Sequence, residues 1–330
     1  MTGQRTHPRA TAALASVLLI SVVACGTGES SPEAESPSPE PVSPEHTSPE
    51  STKSEPTSPE RTPDPAPELP GGGETVFPDR RLVAAYGSPD APGLGILGEG
   101  TIDDAVDQVH QYAQDYQQFS EEPVVPAFEI IATVAAADPG PEGTYTNKID
   151  PEVIEPWVEA AAEEEIYVIL DLQPGHEDFL SQAKTYDDLL SEPHVGLALD
   201  PEWRLAEGQR HMEQIGSVDA AEINDVAQWL AELTQAQDLP QKVLMLHQFK
   251  PQMITNREDI DTSYPELAMV LHVDGHGPPE IKMDSWQTQR EDLSEDFWMG
   301  WKNFYDEDFP TFTPQQTYGI DPQPWFVSYQ

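Results

Sequence analysis

VGLALDPEWR, residues 195–204, opens with five apolar or small residues and runs without a break into Asp200, Pro201, Glu202 and Trp203. An uninterrupted apolar run of that length, closed by a turn former, reads as a strand covered on both faces, the character of strands in a parallel sheet. Side chains two apart on a strand share a face. Gly196 and Ala198 therefore share parity with Asp200 and Glu202, while the bulkier Val195, Leu197 and Leu199 take the opposite side. Pro201 favours an extended backbone at Asp200 and helps keep that parity.

The same character recurs at 81–87, 127–134, 166–173, 242–249, 267–275, 298–306 and 325–330, which with 195–202 makes eight strands. Between them, helical spacing appears over 102–119, 151–164, 176–191, 219–237, 252–264, 279–293 and 314–318. Asp150 before Pro151, and Ser217 to Asp219, are helix start signals. Ile223, Val226, Trp229, Leu230 and Leu233 form one helical stripe, a packing face rather than a cofactor box. Eight alternations over about 250 residues predict an α/β fold, a (β/α)8 TIM-type barrel that ends at strand eight. An open doubly wound sheet needs a Gly-rich phosphate turn directly after a strand. GLGILGEG (93–100) has neither that spacing nor a Walker lysine.

A barrel builds its site where the strands leave their C-terminal face. Those ends carry Tyr86; Glu129; Asp171 and Gln173; Asp200 and Glu202; His247 and Gln248; His272 and Asp274; Lys302, Tyr305 and Asp306; and Tyr329. Two carboxyls two residues apart on one face lie roughly 6–7 Å apart. That is near the spacing of an acid and a base working around a water. Asp200, Glu202 and Asp171 are accordingly the candidate catalytic residues, since neighbouring carboxylates repel and keep one of them protonated. Glu129, Gln173, Trp203, His247, Gln248, His272, Asp274, Lys302, Tyr305 and Asp306 are the candidate substrate-binding residues, with Trp203 the best placed ring for a sugar face. The competing expectation is a solvated or ion-paired carboxylate cluster, with Arg204 or Lys302 as the partner of the acids.

His247, His272, Asp274 and Asp200 are metal-ligand types, but they are scattered, without the close histidine or cysteine spacing of common sites. No metal and no other cofactor is expected. Serine chemistry lacks a G-x-S-x-G elbow, and the single thiol is Cys25.

Residues 1–24 read as a secretory leader, with Arg5 and Arg9 ahead of a short apolar run. Val22-Val23-Ala24-Cys25 resembles the bacterial lipobox, which implies acylation of Cys25 and a location on the extracytoplasmic face of the cell membrane; an ordinary cleaved leader is the alternative. Residues 25–75 are rich in Ser, Pro and Glu, with SPE repeated from 31, 38, 43, 48 and 58. Such a composition has too little apolar surface to offset its ordering entropy and predicts a disordered tether. The folded domain is expected over 81–330. It holds 48 acidic and 11 basic residues, a formal charge of −37. That charge excludes nucleic acid as a partner and makes the acyl anchor the only membrane contact. The expected partner is a carbohydrate, and the expected state is a monomer.

Taken together, YVILDLQPG, GLALDPEW, LHQF, HVDGHG and FYDED resemble a group of uncharacterised actinobacterial lipoproteins and secreted proteins whose folded part looks like the glycosidase-type TIM barrels. The likeness spans 81–330. It implies a lipid-anchored, glycoside-hydrolase-like protein acting on a cell-wall or environmental polysaccharide. Asp200 or Glu202 would protonate the leaving oxygen, and Asp171 or the other carboxylate would activate water. The chain departs from the chitinase-like D-x-x-D-x-D-x-E pattern and from the paired glutamates of other barrels. The alternative is therefore a non-catalytic carbohydrate-binding lipoprotein on a degenerate barrel.

Overall fold

The computed structural model describes residues 66–330. The leader, Cys25 and most of the expected tether lie outside the described residues. Eight parallel strands form the domain: β1 (Arg81–Gly87), β2 (Val124–Ala135), β3 (Tyr167–Leu172), β4 (Val195–Leu199), β5 (Lys242–His247), β6 (Leu267–Val273), β7 (Trp298–Asn303) and β8 (Phe326–Tyr329). Each pairs with the next in sequence, and β1 pairs with both β2 and β8, so the sheet closes into a barrel. The expected (β/α)8 fold is present. A short antiparallel strand, Thr146–Lys148, extends beyond the barrel wall from β2.

Around the barrel lie α1 (Ile102–Gln117), α2 (Pro151–Glu163), α3 (Phe179–Ala183), α4 (Asp187–Leu190), α5 (Ala220–Ala236), α6 (Pro279–Arg290) and α7 (Pro314–Thr317). Their starts follow local chemistry. Thr101 and Asp104 form a reciprocal capping box on α1, while Asp150 and Asp219 cap α2 and α5. Among the described residues, no helix is long and apolar enough to cross a membrane.

Two helical expectations fail. The segment 252–264 holds two 3-10 turns, Pro251–Met253 and Arg257–Asp259, around a two-residue strand at Ile254–Thr255. Asn256 there has φ 54°, a left-handed conformation that ends any right-handed helix. The segment 176–191 is broken by a 3-10 turn at Lys184–Tyr186. The buried Tyr186 hydroxyl donates to the carbonyls of Ala132 and Ile149, which ties the turn to the barrel.

Alternation sorts the strand side chains as the sequence implies. Val195, Leu197 and Leu199 pack outward among the helices, whereas Ala198 belongs to the barrel interior with Leu82, Ala127, Ile169, Met245 and Val270. Gly196 lies on that inner face because Tyr167 and Val243 crowd it. A Cβ at Gly196 would sit 2.8 Å from the Tyr167 hydroxyl.

The expected tether reaches to residue 75, but the described chain packs earlier. Leu69, Val76 and Phe77 are buried against the strand-start residues and close the N-terminal end of the barrel. Phe77 lies 5.5 Å from the Trp298 ring and 5.9 Å from the Trp325 ring. The Arg80 guanidinium donates to the carbonyls of Pro70, Gly72 and Thr75, holding the segment in place. The apolar side chains at 69, 76 and 77 supply the burial that the Ser/Pro/Glu composition upstream lacks.

Candidate active site at the barrel mouth

Toward their C-terminal ends the strands turn polar on the inner face. Tyr86, Glu129, Asp171, Asp200, His247, His272, Lys302 and Ser328 all keep interior parity and are all buried. His247 stands at the centre. Its Nδ1 lies 2.9 Å from Asp274 Oδ2 and its Nε2 lies 2.8 Å from Glu129 Oε1. A carboxylate only accepts, so both ring nitrogens donate and His247 is an imidazolium. Burial opposes that charge, but Asp171, Glu129 and Asp274 together raise the His247 pKa well above its ordinary value.

His272 follows a different course. Its ring packs edge-on to that of His247 at 4.7 Å, and its Nε2 lies 3.3 Å from the Ser328 hydroxyl. Burial pushes its pKa down despite the pull of Glu129. The neighbouring strand makes room for it, because a Cβ at Gly300 would approach His272 Cδ2 to 3.0 Å.

The carboxyls divide by environment. Burial would raise the Glu129 carboxyl, but His272 and His247 hold it well below the ordinary range. Asp171 accepts from the Tyr86 hydroxyl at 2.8 Å, and burial lifts its pKa to about 6 against the pull of His247. Asp200 accepts from the backbone N–H of Glu202 at 3.2 Å, and burial raises it well above the ordinary value. Glu202 is only half-buried, yet desolvation and the charge of Asp274 raise it to about 7. Burial also opposes ionisation of Asp274, but its hydrogen bond to His247 keeps it below the ordinary range. Lys302 Nζ sits 3.3 Å from the Tyr86 ring centroid, a buried cation over an aromatic face.

Of the expected catalytic set, Asp171 lies fully buried on the floor of the mouth and Asp200 just above it. Glu202 does not continue the strand. Pro201 starts a 3-10 turn, Pro201–Trp203, which carries Glu202 to the rim. There Glu202 and Asp274 both line a cavity of about 480 Å³, together with Phe249, Lys250, His276 and Ser285.

The expected binding set is split. Glu129, His247, His272, Asp274 and Lys302 surround the floor. Gln173 reaches it, its amide nitrogen 3.4 Å from the Tyr86 hydroxyl. Gln248 is turned away and braces the following loop through Lys250, Pro251 and Arg257. Trp203 is half-buried against His211, with ring centroids 5.3 Å apart. Tyr305 stacks on Tyr329 and joins Asp306 in a separate cleft with Tyr112 and Glu99. Arg204 does not neutralise the acids, because it pairs with Glu222 at 2.9 Å; Lys302 makes no ion pair with them among the described residues, but its charge draws down Asp171, Glu202 and Asp274. Tyr86 and Ser328 complete the cluster without having a role assigned from sequence. Their signal is parity alone, since each lies two residues beyond an interior residue, Ala84 and Phe326.

No family model matches the chain, and no curated protein matches it either. Among solved structures it is similar to a xylanase and alpha-amylase inhibitor protein from Scadoxus multiflorus. That match has TM-score 0.44 and 11% identity, over 76% of this chain and 92% of the other. It is similar to a chitinase from Ipomoea carnea, with TM-score 0.41 and 13% identity over 75% of this chain and 93% of the other. A glycoside hydrolase family 6 enzyme from Coprinopsis cinerea gives TM-score 0.31 and 13% identity over 58% of this chain and 61% of that one. At such distance the likeness transfers no chemistry from one site to another.

Proposed function

We propose that the protein is a glycoside-hydrolase-like enzyme that cleaves a cell-wall or environmental polysaccharide at the barrel mouth, held on the extracytoplasmic face by a lipid on Cys25. One observation carries the catalytic part. A half-buried carboxyl poised near neutrality, Glu202, and a carboxylate hydrogen-bonded to an imidazolium, Asp274, line one cavity of about 480 Å³. That volume suits a small-ligand subsite. Glu202 gives its proton to the departing glycosidic oxygen. Asp274 takes a proton from water as the hydroxyl adds to the anomeric carbon. The acid role thus falls on one of the two residues expected for it, whereas the base role moves from Asp171 or Asp200 to Asp274. The anchor is supported by the apolar run that ends at Cys25.

The deep burial of Asp171 and Asp200 favours a second reading, a non-catalytic carbohydrate-binding protein. Incubating the full chain and its Glu202→Gln variant with wall and plant polysaccharides, with product analysis and calorimetry, separates the two. Products from the wild type alone, with binding kept by the variant, establish the hydrolase. Equal binding without products in either establishes the binder.

A further inference from the structure

Four strands bring Glu129, Asp171, His247 and His272 to the floor of the mouth, all four fully buried, and ligand atoms of Glu129, His247 and His272 lie within 4.8 Å of one another. His247 Nε2 lies 2.8 Å from Glu129 Oε1 and 4.0 Å from Asp171 Oδ1, and His272 Nδ1 lies 3.7 Å from Glu129 Oε1. Ligands bonded at 2.0–2.1 Å to a tetrahedral ion are about 3.4 Å apart, within the range these spacings bracket. We propose that this floor is a zinc site held by Glu129, His247 Nε2 and His272 Nδ1, with Asp171 beside the fourth position.

The outward atoms of these residues support the assignment. A histidine that binds metal holds its other nitrogen to a carboxylate or another polar group, which fixes the ring. His247 does so through Asp274 at 2.9 Å, and His272 through Ser328 at 3.3 Å. Asp171 likewise spends Oδ2 on Tyr86 at 2.8 Å and turns Oδ1 inward. Asp171 Oδ1, His272 Nδ1 and Glu129 Oε2 make no hydrogen bond although all are buried. Orphaned polar atoms gathered in one place are what an ion would satisfy.

A rival set, Asp200, His247 and Asp274, gathers on the other nitrogen of His247. It has one imidazole instead of two, and its Asp274–His247 bond is the outer support of the first set. Two imidazoles favour zinc over calcium or magnesium, which prefer shells of oxygen. Two carboxylates balance the dication. Zinc displaces the Nε2 proton of His247 to solvent, so one proton leaves per ion bound. All three ligands and Asp171 are fully buried on the floor, so the ion would brace the base of the mouth. Asp274 keeps its bond from His247 Nδ1–H with or without the ion, so the hydrolase reading does not rest on zinc.

The test is calorimetric titration of chelator-stripped full chain with zinc chloride, in two buffers of different ionisation enthalpy. One zinc per chain with about one proton released is expected. Ser328→Ala should weaken zinc binding about 10–100-fold, His272→Gln should abolish it, and Asp200→Asn should leave it within a few-fold. No binding by the wild type overturns the proposal, as does binding lost in Asp200→Asn or untouched in His272→Gln. Should His272→Gln fail to fold, cobalt(II) in the wild type decides. Intense visible bands of a four-coordinate ion support the site, and the weak bands of a six-coordinate ion refute it. No substrate enters these measurements, so their failure leaves the hydrolase reading intact.

Discussion

Replacing Glu202 by Gln should remove activity and strengthen the fold at the same time. The carboxyl is lifted from an ordinary 4.5 to about 7 by desolvation and by Asp274. At pH 7 about half of it is protonated, against well under 1% for an ordinary glutamate. Losing a general acid costs about 10²–10⁴-fold in rate. The folded protein holds this proton more tightly than the unfolded chain does, so the contribution to stability is fully present below about pH 4.5. It fades as pH rises through about 7, and above that the charged side chain opposes folding. The substituted amide carries no charge, so the variant escapes that loss. At 1.36 kcal/mol per pH unit, and allowing for a half-buried group, the gain above pH 7 is about 1–3 kcal/mol. Sugar release across a polysaccharide panel and urea melts at pH 5 and pH 8 measure both effects. Full activity in the variant, or a variant less stable than wild type at pH 8, refutes the reasoning.

Phe77→Ala should destabilise the protein by about 3–5 kcal/mol, because Phe77 is 2% exposed between two tryptophans, and a thermal melt reads it. Asp308→Ala should cost about 3–5 kcal/mol in a denaturant titration, since Lys282 would lose the carboxylate that pairs with it at 2.6 Å inside the protein. Tyr167→Phe should cost about 1–3 kcal/mol, because its hydroxyl accepts from the buried Val243 N–H at 3.0 Å. Faster hydrogen exchange at Val243 in that variant is the accompanying sign.

The barrel was legible because its strands are written as apolar runs, and because parity at 196, 198 and 200 already separates interior from exterior. Periodicity is a local property, and so it found the strands and most helices. It misled at 252–264, where Met253, Ile254 and Ile260 mimic helical spacing while Asn256 adopts a left-handed backbone. The site was legible as a list of residue types but not as an arrangement. Asp171, His247 and His272 look scattered in sequence, and only barrel closure brings them together. Glu202 reached the rim through the turn that Pro201 begins, a departure that strand parity could not foresee. Tyr305 and Asp306 sat at a strand end as expected, yet the loop carried them to a different cleft.

The segment from Leu69 to Phe77 enters beneath the barrel, at the end opposite the polar mouth. Leu69, Val76 and Phe77 thereby shield the strand starts from water, which leaves the polar end of the barrel as the face open to a ligand.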